Sequence, residues 1–379
     1  MFFVIFSIVI ALYILANVYI FKKGAFAIAA FPVLKNYFSI IFWFLALSYP
    51  VGRILERVYL SHLSDFLIFV GSLWLAAMLY LFLICLLIDV FRLINKFLPF
   101  FPQLFATTGF KAGLFWVIIA GITLLITGGY INSMTPVVKN VDINIPKNAG
   151  QRKSLNAVLI SDVHLGTIIG NNHLENIVSK INDAEPEIVF MAGDIVDEDL
   201  EPVLRQNIGN TLKKLQAPLG VYAVTGNHEY IGGAEAAVSY LEEHGITFIR
   251  DTVIKIDESF YILGREDLTK PRFSDERRRS LDDLIAMTDP EYPLLLLDHQ
   301  PFYLEKAAKA GIDLQLSGHT HHGQLWPINY ITSAIYDISR GYDHISGMHA
   351  YVTSGVGTWG PPVRIGSRSE IINLNVYFK

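Results

Sequence analysis

Five short stretches gather side chains that can hold metal ions: Asp162-Val-His164, Asp194-Ile-Val-Asp197, Asn227-His228-Glu229, His299, and His319-Thr-His321. Their donors are carboxylates, imidazoles and one amide oxygen. Such a mixed shell suits Mn, Fe or Zn better than Mg or Ca, which prefer oxygen ligands throughout. Cys85 is the only cysteine and lies in an apolar run, so a thiolate zinc site and an internal disulfide are both excluded. Two ions at the roughly 3.5–4 Å spacing useful for phosphoryl chemistry must share a carboxylate. Asp194, after a glycine at the end of an apolar run, is the natural bridge.

Each stretch follows a segment that reads as a strand. NAVLIS runs into Asp162, EIVFMAG into Asp194, GVYAVTG into Asn227, PLLLLD into His299 and DLQLSG into His319. FYILG is a further strand candidate, and EIINLNVYF returns to strand alternation near residue 370. HLENIVSKIN and AEAAVSYLEEHG have helical spacing, the second stopping at Gly245. Strands alternating with helices predict an α/β sheet domain. Ligands of such sheets bind at the carboxyl ends of the strands, where all five stretches fall. ERRRS, with Arg277 to Arg279, reads as a solvated helix face.

The front of the chain is of another kind. Residues 1–134 carry eight Lys and Arg against three Asp and Glu, whereas the rest carries 22 against 32. Four apolar runs in this third are each near the ~20 residues a transmembrane helix needs. The first has no preceding positive charge and no small-residue cleavage site, which argues against a signal peptide. INKFLPFFPQLFA, between the third and fourth runs, suits the headgroup level. These features predict an integral membrane protein, with a transmembrane region at 1–134, a linker at 135–153 and an α/β domain at 154–379. Lys22, Lys23, Lys35, Arg92, Lys96 and Lys111 on one side outnumber Arg53, Arg57, Lys139 and Lys147 on the other. That bias favours the first set inside and the α/β domain outside the cytoplasm. The acidic remaining two thirds show no basic stripe, so nucleic acid is not an expected partner.

The motifs DVH, GDIVD, GNHE, a lone histidine in LLDHQP, and GHTH, in this order, resemble the five motifs of calcineurin-like metallophosphoesterases. The downstream SGHTHHGQLWP and SGVGTWGPPVRIGSRSEI are similar to a membrane-attached or exported bacterial branch, which would place the chain in a bacterial inner membrane. The resemblance covers about residues 154–379 and implies a four-layer α/β/β/α sandwich holding two divalent ions, Mn first, with Fe or Zn as alternatives. It implies that Asp162, His164 and His321 hold one ion, that Asn227, His299 and His319 hold the other, and that Asp194 bridges them. His228 would face the substrate, either stabilising phosphoryl oxygens or protonating the leaving group. A hydroxide between the ions would attack phosphorus in line. The implied reaction is hydrolysis of a phosphodiester, pyrophosphate or monoester bond, with a lipid-linked substrate as the narrower expectation.

Other residues carry plainer expectations. Asp197 is expected to orient a ligand or loop, and Glu229 to be structural. His322 is left for the surface or the substrate entrance. Arg364 fits a substrate phosphate and, equally, a salt bridge. His173, His244, His344 and His349 read as ordinary surface or hydrogen-bonded histidines. Two other classes compete: a membrane transporter with a regulatory metal domain, and a metal-binding scaffold without catalysis. The near absence of charges within the apolar runs argues against the first, and the intact donor set with His228 against the second.

Overall fold

The long apolar runs form helices because no water is available in a bilayer to satisfy an open backbone. The computed structural model describes residues 2–98 and 107–379, so most of the aromatic segment INKFLPFFPQLFA lies outside the described residues. The helices are α1 (Phe2–Ala27), α2 (Pro32–Val58), α3 (His62–Phe97) and α4 (Thr108–Met134). All four are long and apolar enough to cross a membrane. The chain divides into two units, Met1–Tyr130 and Ile131–Lys379.

In the first unit, α2 and α3 form a hairpin. Ser61 and Ser64 close a reciprocal capping box at the start of α3. At Gly71 an added Cβ would lie 2.2 Å from the Tyr49 backbone nitrogen, so the two helix backbones meet closely there. The Trp74 indole donates to Asn17 Oδ1 at 3.0 Å, which satisfies two polar groups inside the bundle. Gly71→Val should overpack this crossing and cost about 1–3 kcal/mol. A lower melting temperature of the detergent-solubilised chain is the measurement.

The second unit contains two six-stranded sheets. The first runs in the order β1 (Val137–Ile145), β12 (Glu370–Phe378), β2 (Ser154–Ile160), β3 (Ile188–Met191), β4 (Val221–Ala223), β5 (Thr247–Phe248). The second runs β10 (Gly341–Ile345), β11 (Met348–Val352), β9 (Leu314–Ser317), β8 (Leu294–Leu297), β7 (Phe260–Gly264), β6 (Thr252–Ile256). Helices α5 (Asn171–Asn182), α6 (Glu201–Arg205), α7 (Gly209–Leu212), α8 (Asn227–Gly232), α9 (Ala234–Glu242), α10 (Leu281–Ile285), α11 (Leu304–Lys309) and α12 (Ile328–Ile335) complete it.

Side-chain alternation along the strands builds the layers. Val158 and Ile160 of β2, with Val189 and Met191 of β3, face α5 and α9 in one core. Leu155, Ala157 and Leu159, with Ile188 and Phe190, face the other sheet in a second core. In β8, Leu295 and Leu297 join that middle core, while Leu294 and Leu296 pack under α10 and α11. Strands buried on both faces read as continuous apolar runs such as LLLL. The result is the helix–sheet–sheet–helix sandwich that the motifs implied.

Two expectations are corrected. The segment 135–153 is more than a linker: β1 lies within it and pairs in parallel with β12 over nine positions, Val137 with Glu370 through Ile145 with Phe378. Lys139 of β1 also pairs with the buried Glu370 at 2.5 Å. Residues 276–280 form no helix. Arg278 is drawn inward there by Asp298, at 3.0 Å.

Candidate metal centre

The five stretches meet at the carboxyl ends of β2, β3, β4, β8 and β9. The chain turns abruptly at most of these residues. Asp162, His164, Asp194, His319 and His321 all have positive φ, between 45° and 73°. L-residues with side chains adopt that conformation only where surrounding structure enforces it, and such positions cluster at functional sites. Glycines supply the room. At Gly226 an added Cβ would lie 2.1 Å from Asp194 Oδ1, and at Gly318 it would lie 2.3 Å from Asp162 Oδ2.

Three groups of donors result, each with its atoms within 4.8 Å of one another: Asp162, His164 and His321; His164, Asp194 and His228; and Asp194, His299 and His319. Asp194 belongs to two of them. His164 Nε2 and His321 Nε2 are 3.0 Å apart, and His321 Nε2 is 3.4 Å from Asp162 Oδ1. On the other side His299 Nε2 is 3.1 Å from Asp194 Oδ2. His299 Nδ1 donates to the Ala192 carbonyl at 2.7 Å, which fixes the tautomer and leaves Nε2 as a lone-pair donor toward Asp194. Asn227 begins α8, and its Oδ1 is buried without a hydrogen-bond partner, as is His299 Nε2. Buried polar atoms are ordinarily paired, so acceptors converging without donors fit a cation between them. The residues present therefore fit two divalent ions.

Charge is strongly coupled in this centre. Burial alone would raise the Asp194 carboxyl, but His299, His228 and His164 hold it well below its ordinary range. Burial would lower His299, and Asp194 instead holds it well above the usual imidazole range. Burial, with His164 and Arg364 adding to it, pushes His321 down. Burial likewise lowers His319, to about 4.

His228 sits beside the donors. Its backbone N–H donates to Asp194 Oδ1 at 2.8 Å, and its Nδ1 is 3.1 Å from Asp197 Oδ1. Burial would lower its pKa, but Asp197 and Asp194 raise it to about 9. Asp197 also lies 3.6 Å from His164 Nδ1, so it orients one ligand and His228 together. Asp197→Asn should reduce turnover about 10–100-fold, the usual cost of losing a group that orients a ligand. Steady-state kinetics beside a metal analysis would read it.

Glu229 is structural, as expected. It is buried and accepts backbone N–H bonds from Asp194, Ile195, Val196 and Gly226 at 2.7–3.1 Å, pinning the turn that carries Asp194. Arg364 is turned into the protein. It is 1% exposed and donates to the carbonyls of Ser354 and Gly357, both at 2.7 Å. Its Nη2 lies 3.2 Å from His321 Nδ1, so it positions that ligand from behind. His322 is half-buried with Nδ1 2.9 Å from Ser339 Oγ, and it joins none of the three groups. Sequence reasoning missed Asp267 and Gln300. Asp267 is buried and accepts from Gln300 Nε2 at 2.9 Å, behind His299 and His319. The acidic run Glu266-Asp267 just past β7 was the available signal.

Comparison with known proteins agrees with this geometry. Residues 155–323 match the family described as calcineurin-like phosphoesterase. An uncharacterised metallophosphoesterase of Campylobacter jejuni is 31% identical over 99% of both chains. A zebrafish (Danio rerio) transmembrane protein with a metallophosphoesterase domain is 31% identical over 71% of this chain, which spans 63% of that longer protein. A metallophosphoesterase of Helicobacter pylori is 31% identical over 66% of each chain. The chain therefore belongs to the calcineurin-like metallophosphoesterases, as a metal-dependent phosphoesterase whose front third is built of membrane-type helices.

Proposed function

We propose that the protein is a membrane-anchored two-metal phosphoesterase that cleaves a phosphodiester or pyrophosphate bond, with a monoester as the lesser substrate. The observation that carries this reading is the shared carboxylate: Asp194 joins the donor group of His164 to that of His299 and His319. In the assignment proposed, Asp162, His164 and His321 hold one ion, Asn227, His299 and His319 the second, and Asp194 both. Bound there, two ions supply the Lewis acidity that activates water and draws charge from phosphoryl oxygens. The mixed N/O donor set favours Mn, then Fe or Zn.

The remaining work falls to the chain. His228, held by Asp197 and raised toward its charged form, carries a proton where a leaving oxygen would depart. Arg364 and Glu229 keep the ligand loops in their strained turns. The positive-inside bias of the basic residues supports a catalytic domain outside the cytoplasm, and the Campylobacter and Helicobacter relatives support a bacterial inner membrane. The long apolar helices support a lipid-linked substrate.

The test uses the full chain in detergent, stripped of metal and reconstituted with Mn²⁺, Fe²⁺ or Zn²⁺. Bis(p-nitrophenyl) phosphate and p-nitrophenyl phosphate serve as diester and monoester. Metal-dependent hydrolysis with the diester ahead is expected. A folded chain that binds two ions and hydrolyses neither would refute the reading.

A further inference from the structure

Beside the metal centre lies a surface that a water-facing enzyme has no reason to build. Helix α12, INYITSAI, has no charged side chain and no buried residue. Tyr330, Ile331 and Ile335 are 64, 59 and 58% exposed. Trp326, one turn before the helix, is 47% exposed, and Trp359 is 57% exposed. Gln324 joins these two tryptophan segments, donating to the Trp359 carbonyl at 3.0 Å and accepting from its N–H at 3.0 Å. Large exposed apolar side chains brought together in this way mark a contact surface.

Two connections give the patch its place. On one side it borders the catalytic residues: the Trp359 ring lies 5.9 Å from the His228 ring. On the other it is tied to the end of α4. Asn132, in the last turn of α4, donates to the carbonyls of Arg364 and Ser367, both at 2.9 Å. Ser133 donates to the Pro362 carbonyl at 2.7 Å. The Trp326 N–H donates to Ile365 in that same loop, at 2.6 Å. With 27 residues, α4 is roughly 40 Å long at ~1.5 Å per residue. A bilayer with its headgroups is about 40–45 Å thick, so the last turn of a helix crossing it reaches the headgroup level. Tryptophan and tyrosine prefer that level, and an uncharged helix exposing isoleucines beside them suits the boundary with the acyl chains.

We infer that α12, Trp326 and Trp359 form an interfacial surface that rests on the bilayer crossed by α4, so that the metal centre opens among lipid headgroups and takes the phosphoester of a lipid. This rests on the phosphoesterase reading above and names its substrate class. The surface commits to one occupant, the bilayer itself.

The experiment places the full chain in vesicles of phosphatidylethanolamine and phosphatidylglycerol. On a Cys85→Ala background, Ile331→Cys carries an environment-sensitive fluorophore, and Glu291→Cys, exposed at the opposite ends of the strands, carries it as a control. Lipids bearing a headgroup nitroxide should quench the probe at 331 at least threefold more than at 291. Equal quenching overturns the inference, without reference to any activity.

A second arm compares a vesicle-borne phosphatidyl-p-nitrophenol with soluble bis(p-nitrophenyl) phosphate. Ile331→Glu with Ile335→Glu should lower the lipid rate at least tenfold and leave the soluble rate within twofold. An equal loss on both substrates overturns it. So does dimerisation of the wild type that these substitutions abolish, because the patch would then be a protein interface. Absence of hydrolysis of either substrate by the wild type would instead refute the phosphoesterase reading.

Discussion

Asp194→Asn should reduce kcat/KM at least about 10³-fold, equivalent to roughly 4 kcal/mol of lost transition-state stabilisation. The substitution keeps the shape of the side chain and removes its charge. The backbone N–H bonds that Glu229 accepts from residues 194–196 do not involve the carboxylate, so the turn should persist. What is lost is the one anionic group that lies 3.1 Å from His299 Nε2 and 4.0 Å from His164 Nε2, common to both halves of the centre. Metal analysis should fall from two ions per chain to one or none. The substitution also changes the buried group that lies 3.1 Å from His299 Nε2, and leaving a buried polar group poorly matched costs stability. Circular dichroism must therefore accompany the assay. A folded variant with two ions and activity within tenfold of the wild type would show that Asp194 does not bridge.

His228→Ala should lower kcat about 10²–10⁴-fold while metal content stays at two. The side chain lies beside the donors, and its raised pKa comes from Asp197 and Asp194, which keep a proton on it. Two roles remain for that proton, and leaving groups separate them. If His228 protonates the departing oxygen, the loss should be large with an alkyl ester and small with p-nitrophenolate, which leaves without help. If it stabilises phosphoryl oxygens, both losses should be equal. A variant as active as the wild type on both substrates would remove His228 from the mechanism.

The candidate metal-holding residues could be picked out in the sequence because each stands at the end of its own apolar strand. The chemistry is local even though the ligands are far apart along the chain. Arg364 could not be read in the same way. Its partners are mainly backbone carbonyls, at residues 354, 355 and 357, and a carbonyl leaves no mark in a sequence. Asp267 and Gln300 meet only because β7 and β8 are neighbours, so their pairing depends on strand order. Arg278 looked like one of three solvated arginines until Asp298, at the end of β8, drew it in. Strand β1 was hidden for a related reason. VVKNVDINI is half polar, and it becomes a strand by pairing with β12 more than 230 residues later.

That pairing bears on the order in which the molecule can be made. β12 lies between β1 and β2 in the first sheet, so two strands adjacent in the chain are joined through one synthesised much later. A ribosome delivers β1 directly after α4 and β2 soon afterwards, yet neither has its neighbour on that side until residues 370–378 emerge. Throughout that interval β1 presents an unpaired edge, the kind of surface that recruits other strands. Such long-range closure is also slow. Lys139 gives that waiting edge a charge, and Glu370, the first residue of the arriving strand, neutralises it. The domain therefore becomes a finished sheet only once residues 370–378 have emerged, and a nascent chain stalled ten residues short of Phe378 should still be a substrate for chaperones and proteases.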